Sequence, residues 1–366
     1  MVAPGGGGGG AASWPSEGEL DVVRAKVVEI SGRGAGEVRV VACPYRICPL
    51  GAHIDHQGGT VTAMTINYGV LLGFVASDDA EISLQSGQFE GVIRFRVDDL
   101  QKPIENPENI NWESYARGAV YALQNFGYDL KKGIIGYISG VKGLDSSGLS
   151  SSAAVGIAYL MALENVNDLV VSPVDNIQLD KSIENKYLGL ENGILDPSAI
   201  LLSRYGYLTF MDCKGCNITY RRRVDIIREF LSAKRLPVLF YGCEDASSIL
   251  RNVNPAIYEA QKCILEENLA RRAEHYFSEM KRVVKGSKEM IQLYEILLKA
   301  PGVLGARFSG AGFRGCCLAV VESGHAEAAA AFVRAEYEKA QPELVSKIPP
   351  GRRVLVCEPG DGARVI

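Results

Sequence analysis

Histidine is scarce in this chain, with four among 366 residues. A zinc centre needs three or four ligands in convergent spacing. His53, Asp55 and His56 share one loop, but His275 and His325 lie in polar helical contexts, so zinc is set aside. The nine cysteines are odd in number and follow no framework spacing. That excludes a disulfide scaffold and fits a reducing compartment. Cys213 and Cys216 form one Cys-x-x-Cys with no second pair, which is too little for a zinc site. Positive charge is not in surplus: 39 Lys and Arg face 43 Asp and Glu, a net charge of −4. That argues against a general binder of nucleic acid or anionic membrane, and Arg221-Arg222-Arg223 reads as a solvated run. No apolar run reaches membrane-spanning length. The N-terminus has neither the basic start nor the apolar core of a signal peptide. The expectation is a cytoplasmic protein with no nucleic-acid, membrane or obligate protein partner.

Glycine is plentiful, and six stand in a row from Gly5 to Gly10. They mark residues 1–16 as a flexible tail. Two domains are expected after it, over 17–222 and 223–366, because glycine, cysteine and arginine cluster between regular segments near 212–235. Helices are expected over Glu17–Ser31, Trp112–Phe126, Ser152–Asn165, Pro173–Leu188, about Asn254–Ala300 and Ala326–Glu338. Alternating and β-branched stretches predict strands over Glu37–Pro44, Thr65–Ala76, Glu81–Leu84, Val92–Val97, Gly133–Ser139, Leu208–Met211, Pro237–Tyr241 and Arg353–Glu358. A strand–turn–strand feature is read from Ala306 to Val321.

The most informative stretch runs from Val141 to Ala154, a small-residue loop ending in Ser150-Ser151-Ser152. An Ala- and Leu-rich helix follows it. Serine at that point predicts an N-cap. A helix start with free N–H groups attracts phosphate. Gly143 and Gly148 let backbone approach a ligand. Leu149 stands where a Walker A loop needs lysine, so this is not that motif. Four further segments are candidates. Arg46, His53 and Asp55 lie in a turn-rich loop after a strand. Glu184 sits on a helix, twelve residues before Asp196. Asn192-Gly193-Ile194-Leu195-Asp196-Pro197 reads as a turn or cap. Phe308 to Cys317 alternates small and apolar residues.

Together and in this order, these segments resemble the GHMP family of small-molecule kinases, its galactokinases most closely. Gly148-Leu149-Ser150-Ser151-Ser152-Ala153 is similar to the family's phosphate loop. Arg46 through Asp55 is similar to the galactokinase signature. Gly193-Ile194-Leu195-Asp196 is similar to the segment with the catalytic aspartate, and Gly310-Ala311-Gly312-Phe313 to the third motif. Trp112-x-x-Tyr115-x-x-Gly118 also matches galactokinases. The resemblance implies a two-domain α/β (α+β) fold of mixed sheets and helices, with the active site in the cleft between domains.

The same resemblance implies ATP and Mg²⁺. Asp196 would accept or orient the proton of a sugar C1 hydroxyl, with Arg46 beside it. Ser152 and Glu184 would hold Mg²⁺. Gly148, Ser150, Ser151 and Gly312 would wrap the nucleotide phosphates, and Trp112 would line the adenine side. Ala52, His53, Asp55, Gly193 and Tyr258 would meet the sugar. Galactokinases carry glutamate where this chain has Ala52, facing the 6-hydroxyl end of the sugar. Loss of that charge and bulk implies a substrate with a carboxylate at C6, D-galacturonic acid, phosphorylated at C1. The alternatives are a galactokinase and a non-catalytic sugar and ATP sensor. Pro197 and Arg314 depart from the galactokinase pattern.

Overall fold

A computed structural model describes residues 14–50, 55, 59–141, 148–214, 217–222, 287–309 and 315–366. These fall into two compact units. The first holds described residues of 14–141, 149–222 and 357–366; the second holds Gly148, 287–309 and 315–356.

The first unit opens with helix α1, Glu17–Ser31, which Ser16 and Glu19 start as a reciprocal capping box. Four strands follow: β1 (Arg39–Leu50), β2 (Thr60–Ala76), β3 (Glu81–Ser86) and β4 (Val92–Arg96). Helix α2 (Trp112–Asn125), strand β5 (Ile134–Gly140) and helix α3 (Ser151–Val166) come next. Helix α4 (Pro173–Lys181) runs into a π-helical turn at Ser182–Tyr187, where the sequence predicts one helix over Pro173–Leu188. Helix α5 (Leu195–Leu202) and strands β6 (Tyr207–Asp212) and β7 (Asn217–Arg222) complete this run.

The sheet is mixed, in the order β10-β1-β2-β5-β3-β4, where β10 is Arg364–Val365. β3 and β5 run parallel and the other pairs antiparallel. β6 joins the far half of β2 and pairs with β7. The length of β2 allows this: residues 70–76 face β5 while 60–63 face β6. Leu20 and Val23 of α1 pack on Val40, Ala42 and Leu71. Val41 and Cys43 point the other way by the strand's period of two and are fully buried as well. Helix α3 packs on β1 and β2. Its apolar residues lie all round, and eleven of its sixteen residues are buried, as a core helix requires.

Glu164, near the end of α3, is an exception in that core. It is 7% exposed. Asn176 donates to its Oε2 at 3.1 Å, and Oε1 meets no partner among the described residues. Burial pushes its carboxyl up to about 7, against the opposing pull of Asn176. An acid raised in this way favours folding fully below its unfolded value, and that contribution is lost as pH rises through about 7. Glu164→Gln keeps the acceptor for Asn176 and removes the buried charge. Its stability relative to wild type should therefore improve between pH 5 and pH 8 by on the order of 2 kcal/mol. Urea unfolding at both pH values measures this; an equal difference at the two would place the Glu164 carboxylate in water.

The second unit packs helix α6 (Lys288–Lys299), capped by Ser287, against a hairpin of β8 (Val303–Phe308) and β9 (Cys317–Val321). Helices α7 (Ala326–Ala340) and α8 (Pro342–Ser346) follow. Ala300, Ala329 and Val333 form its buried centre with Leu293, Ile296 and Leu297 around them.

Four sequence expectations change. β1 continues to Leu50, so Arg46 lies on a strand, not in a loop. Asp196 lies in the first turn of a helix. Arg353–Glu358, expected as a strand, joins none of the described strands. Residues 357–366 return to the first unit, whereas the sequence reading assigned 223–366 to the second. The predicted strand Pro237–Tyr241 and the predicted helix up to Gly286 lie outside the described residues.

Candidate active site

Arg46 and Asp196 are 150 positions apart in sequence and meet in the first unit. The β1–β2 register slips between Pro44 and Arg46 and again between Ile47 and Leu50. Such irregularities bend a strand and re-aim its side chains. The Arg46 backbone N–H donates to Leu149 O at 3.1 Å. Its guanidinium Nε and Nη2 each lie 2.7 Å from Asp196 Oδ1. Only 12% of the Arg46 side chain and 23% of the Asp196 side chain are exposed. A charge-assisted pair so far out of water is stronger than a surface pair. Burial opposes the Arg46 charge, but the adjoining Asp196 carboxylate outweighs it and holds the guanidinium above its already high range.

Asp196 sits in the first turn of α5, where the helix dipole favours negative charge. Asp55 Oδ2 accepts from Leu195 N at 3.1 Å, so it caps the segment that carries Asp196. A Cβ at position 193 would run into the Asp55 carboxylate. Only glycine permits that approach. The hydroxyl of Ser150 donates to Asp196 Oδ2. Ser150 is the N-cap residue of α3, yet its side chain makes no cap hydrogen bond.

Glu184 lies on the π turn, 1% exposed, and neither carboxyl oxygen has a hydrogen bond of good geometry among the described residues. Burial pushes its carboxyl up to about 7, and the charge of Asp196 adds to the shift; Asn192, Ser152 and Arg46 oppose it. Asp180, one turn earlier, is fully buried and also lacks a hydrogen-bond partner among the described residues. Burial raises its carboxyl well above the ordinary range, with Glu184 and Asp196 adding to the shift. Tyr115 of α2 is pushed up to about 12 by burial and by Glu184 and Asp180, while Ser152 pulls the other way. Trp112 begins the same helix and stacks on Phe89, with centroids 6.4 Å apart and planes 10° from parallel.

The structure thus gathers Arg46, Asp55, Ser150, Ser152, Glu184, Gly193 and Asp196 in one region. Gly148 has φ 71°, and its carbonyl accepts from Ser309 Oγ at 2.8 Å. Ala52, His53, Tyr258 and Gly312 lie outside the described residues. Asp180 and the bond from Ser150 to Asp196 were not anticipated. Asp180 had a signal: it precedes Glu184 by four residues, which shares one helix face. The Ser150 bond had none, since it spans 46 positions and depends on backbone torsion. Among the described residues no group of three or more His, Cys, Asp and Glu could hold a metal ion. A divalent ion here would draw on Glu184, a hydroxyl and a ligand's own oxygens.

Two family models match the chain: the GHMP kinases N terminal domain over residues 114–204 and GHMP kinases C terminal over 260–339. A galacturonokinase of Arabidopsis thaliana is 51% identical, over 97% of this chain and 100% of the relative. That alignment runs over 426 positions against 366 residues here, so at least 60 of its positions have no residue in this chain. A galactokinase of Clostridium perfringens strain SM101 is 31% identical over 78% of this chain and 86% of its own. Among solved structures, a Lactococcus lactis galactokinase complexed with galactose superposes with a TM-score of 0.71 at 24% identity, covering 94% of this chain and 99% of that one. Fold and site together define a small-molecule phosphotransferase. The chain belongs to the GHMP kinase family. The family uses ATP as its phosphate donor.

Proposed function

We propose that this chain transfers the γ-phosphate of ATP to the C1 hydroxyl of D-galacturonic acid, giving α-D-galacturonate 1-phosphate and ADP. The observation that carries the reading is the largely buried Arg46–Asp196 pair in a chain 51% identical to a galacturonokinase over nearly its whole length. Asp196 takes the proton of the C1 hydroxyl. The C1 oxygen attacks the γ-phosphorus, the bond to the bridging oxygen breaks, and ADP leaves. Arg46 orients Asp196 and stabilises charge on the transferred phosphoryl group. Asp55, with His53 and Tyr258, binds sugar hydroxyls; Ala52 leaves room for the C6 carboxylate; Gly193 lets Asp55 approach. Gly148, Ser151 and Gly312 are the residues proposed for the nucleotide phosphates, and Trp112 for the base.

Glu184 and Ser152 fit Mg²⁺. A buried carboxyl with no hydrogen bond of good geometry among the described residues and a nearby hydroxyl are the oxygen donors this ion takes when nucleotide phosphates supply the rest. Bound there, Mg²⁺ would neutralise charge on the phosphates. Glu184→Gln should raise the Mg²⁺ concentration needed for half-maximal rate and lower turnover, with sugar affinity by calorimetry little changed. Unaltered magnesium dependence in a folded variant would take Glu184 out of the metal site.

Nine cysteines without a disulfide-like spacing support a cytoplasmic setting. Among the described residues no helix is long and apolar enough to cross a membrane. The deciding assay offers galacturonate, galactose and glucuronate side by side with ATP. Preference for galacturonate supports the reading; preference for galactose replaces it with galactokinase; binding without turnover leaves the sensor.

A further inference from the structure

Ser150 has a left-handed backbone, φ 60° and ψ 46°. Among the described residues, only it and Asp168 have positive φ without being glycine. A side chain is sterically disfavoured in that region. Such a conformation persists where the surrounding contacts over-determine it. Three contacts converge here. The Ser150 hydroxyl donates to Asp196 Oδ2. The carbonyl just before it, on Leu149, accepts from the Arg46 backbone N–H at 3.1 Å. The Arg46 guanidinium takes the other oxygen of Asp196 at 2.7 Å. Arg46 therefore fixes both the peptide that presents Ser150 and the carboxylate that Ser150 reaches. Ser150 is 8% exposed, so water competes poorly for its hydroxyl. The same torsion turns the hydroxyl away from the helix N–H groups that a capping serine would bind.

We propose that Ser150 is a positioning residue for Asp196, where its place in the serine loop suggested a phosphate ligand. A carboxylate gripped at one oxygen alone can turn about its Cβ–Cγ bond. A second donor on the other oxygen removes that freedom and sets the acceptor toward the incoming C1 hydroxyl. The loop then needs a residue with a hydroxyl at a position where backbone alone would prefer glycine. This inference rests on Asp196 as the proton acceptor of the proposed kinase.

Two substitutions separate hydroxyl from backbone. Ser150→Gly removes the hydroxyl and relaxes the left-handed torsion; Ser150→Ala removes the hydroxyl and keeps the strain. In the full chain, both should lose kcat by about ten- to a hundredfold, the scale of a misplaced catalytic group. KM for ATP and calorimetric affinity for ADP should stay at wild-type values. Ser150→Gly should melt at or above the wild-type temperature and Ser150→Ala below it, so lost activity in the glycine variant is not lost folding. Near-normal kcat in Ser150→Gly overturns the proposal. So does weakened ADP binding with kcat intact, which would return the hydroxyl to the phosphates. Asp196→Asn in the same series keeps the two ideas apart. If Asp196→Asn is inactive and Ser150→Gly is not, only the positioning role fails; if Asp196→Asn is active, the kinase reading of Asp196 fails.

Discussion

Asp196→Asn lowers turnover on galacturonate by on the order of a hundredfold or more, the usual scale for removal of a general base. Asparagine keeps the size of the side chain; its carbonyl oxygen can accept from Arg46, and its amide nitrogen can donate to the Ser150 hydroxyl. What it loses is the negative charge and the ability to take a proton. Sugar binding, measured by calorimetry with a non-reacting ATP analogue, should survive, because the groups proposed to hold the sugar hydroxyls are untouched. Arg46→Lys should be tolerated almost as poorly. Two guanidinium nitrogens reach one Asp196 oxygen at 2.7 Å, and a single ammonium cannot reproduce that fork. An Asp196→Asn enzyme with near-normal turnover would leave the base unassigned.

Ala52→Glu reverses substrate preference. On the proposed role of Ala52, a carboxylate at this position would meet the C6 carboxylate of galacturonate, and a like charge out of water costs several kcal/mol. The expected loss of kcat/KM on galacturonate is on the order of a hundredfold or more, with a much smaller change on neutral galactose. The ratio of the two specificity constants is the readout. It cancels general damage to folding or to ATP binding, which lowers both sugars alike. Proportional losses on both sugars would make Ala52 a packing residue and remove the argument for a uronic acid.

Much of this architecture was legible locally. The run Val155 to Leu163 is apolar on every side, and it folds as the buried helix α3. The alternation at Val92 to Arg96 emerges as a strand with every second residue buried. The site was legible only through family resemblance, because its parts are distant in sequence. Nothing near Arg46 announces Asp196, and a Glu184 on a helix resembles any solvated glutamate until its burial is seen. The misreadings share a physical cause. Arg364–Val365 is two residues long and exists because β1 offers an edge at Val41 and Ala42; Arg353–Glu358 alternates as well as many strands but joins none of the described ones. The π turn at Ser182–Tyr187 changes which residues line one face without altering the apolar pattern. Torsions such as that of Ser150 depend on contacts made across the fold.

The return of residues 357–366 to the first unit has a consequence for biosynthesis. Val40 exchanges backbone hydrogen bonds with Ile366, Thr65 and Asn67 bond to the stretch around Glu358 and Gly360, and Ala363 bonds to Ile200 of α5. These contacts brace the strands and the helix that carry Arg46 and Asp196. None can form while a ribosome is still translating residues 223–356, a wait on the order of ten seconds at ordinary elongation rates. During that interval β1 presents an open edge, the kind of surface that pairs with stray strands. Until residues 357–366 emerge and close it, that edge is open to mispairing.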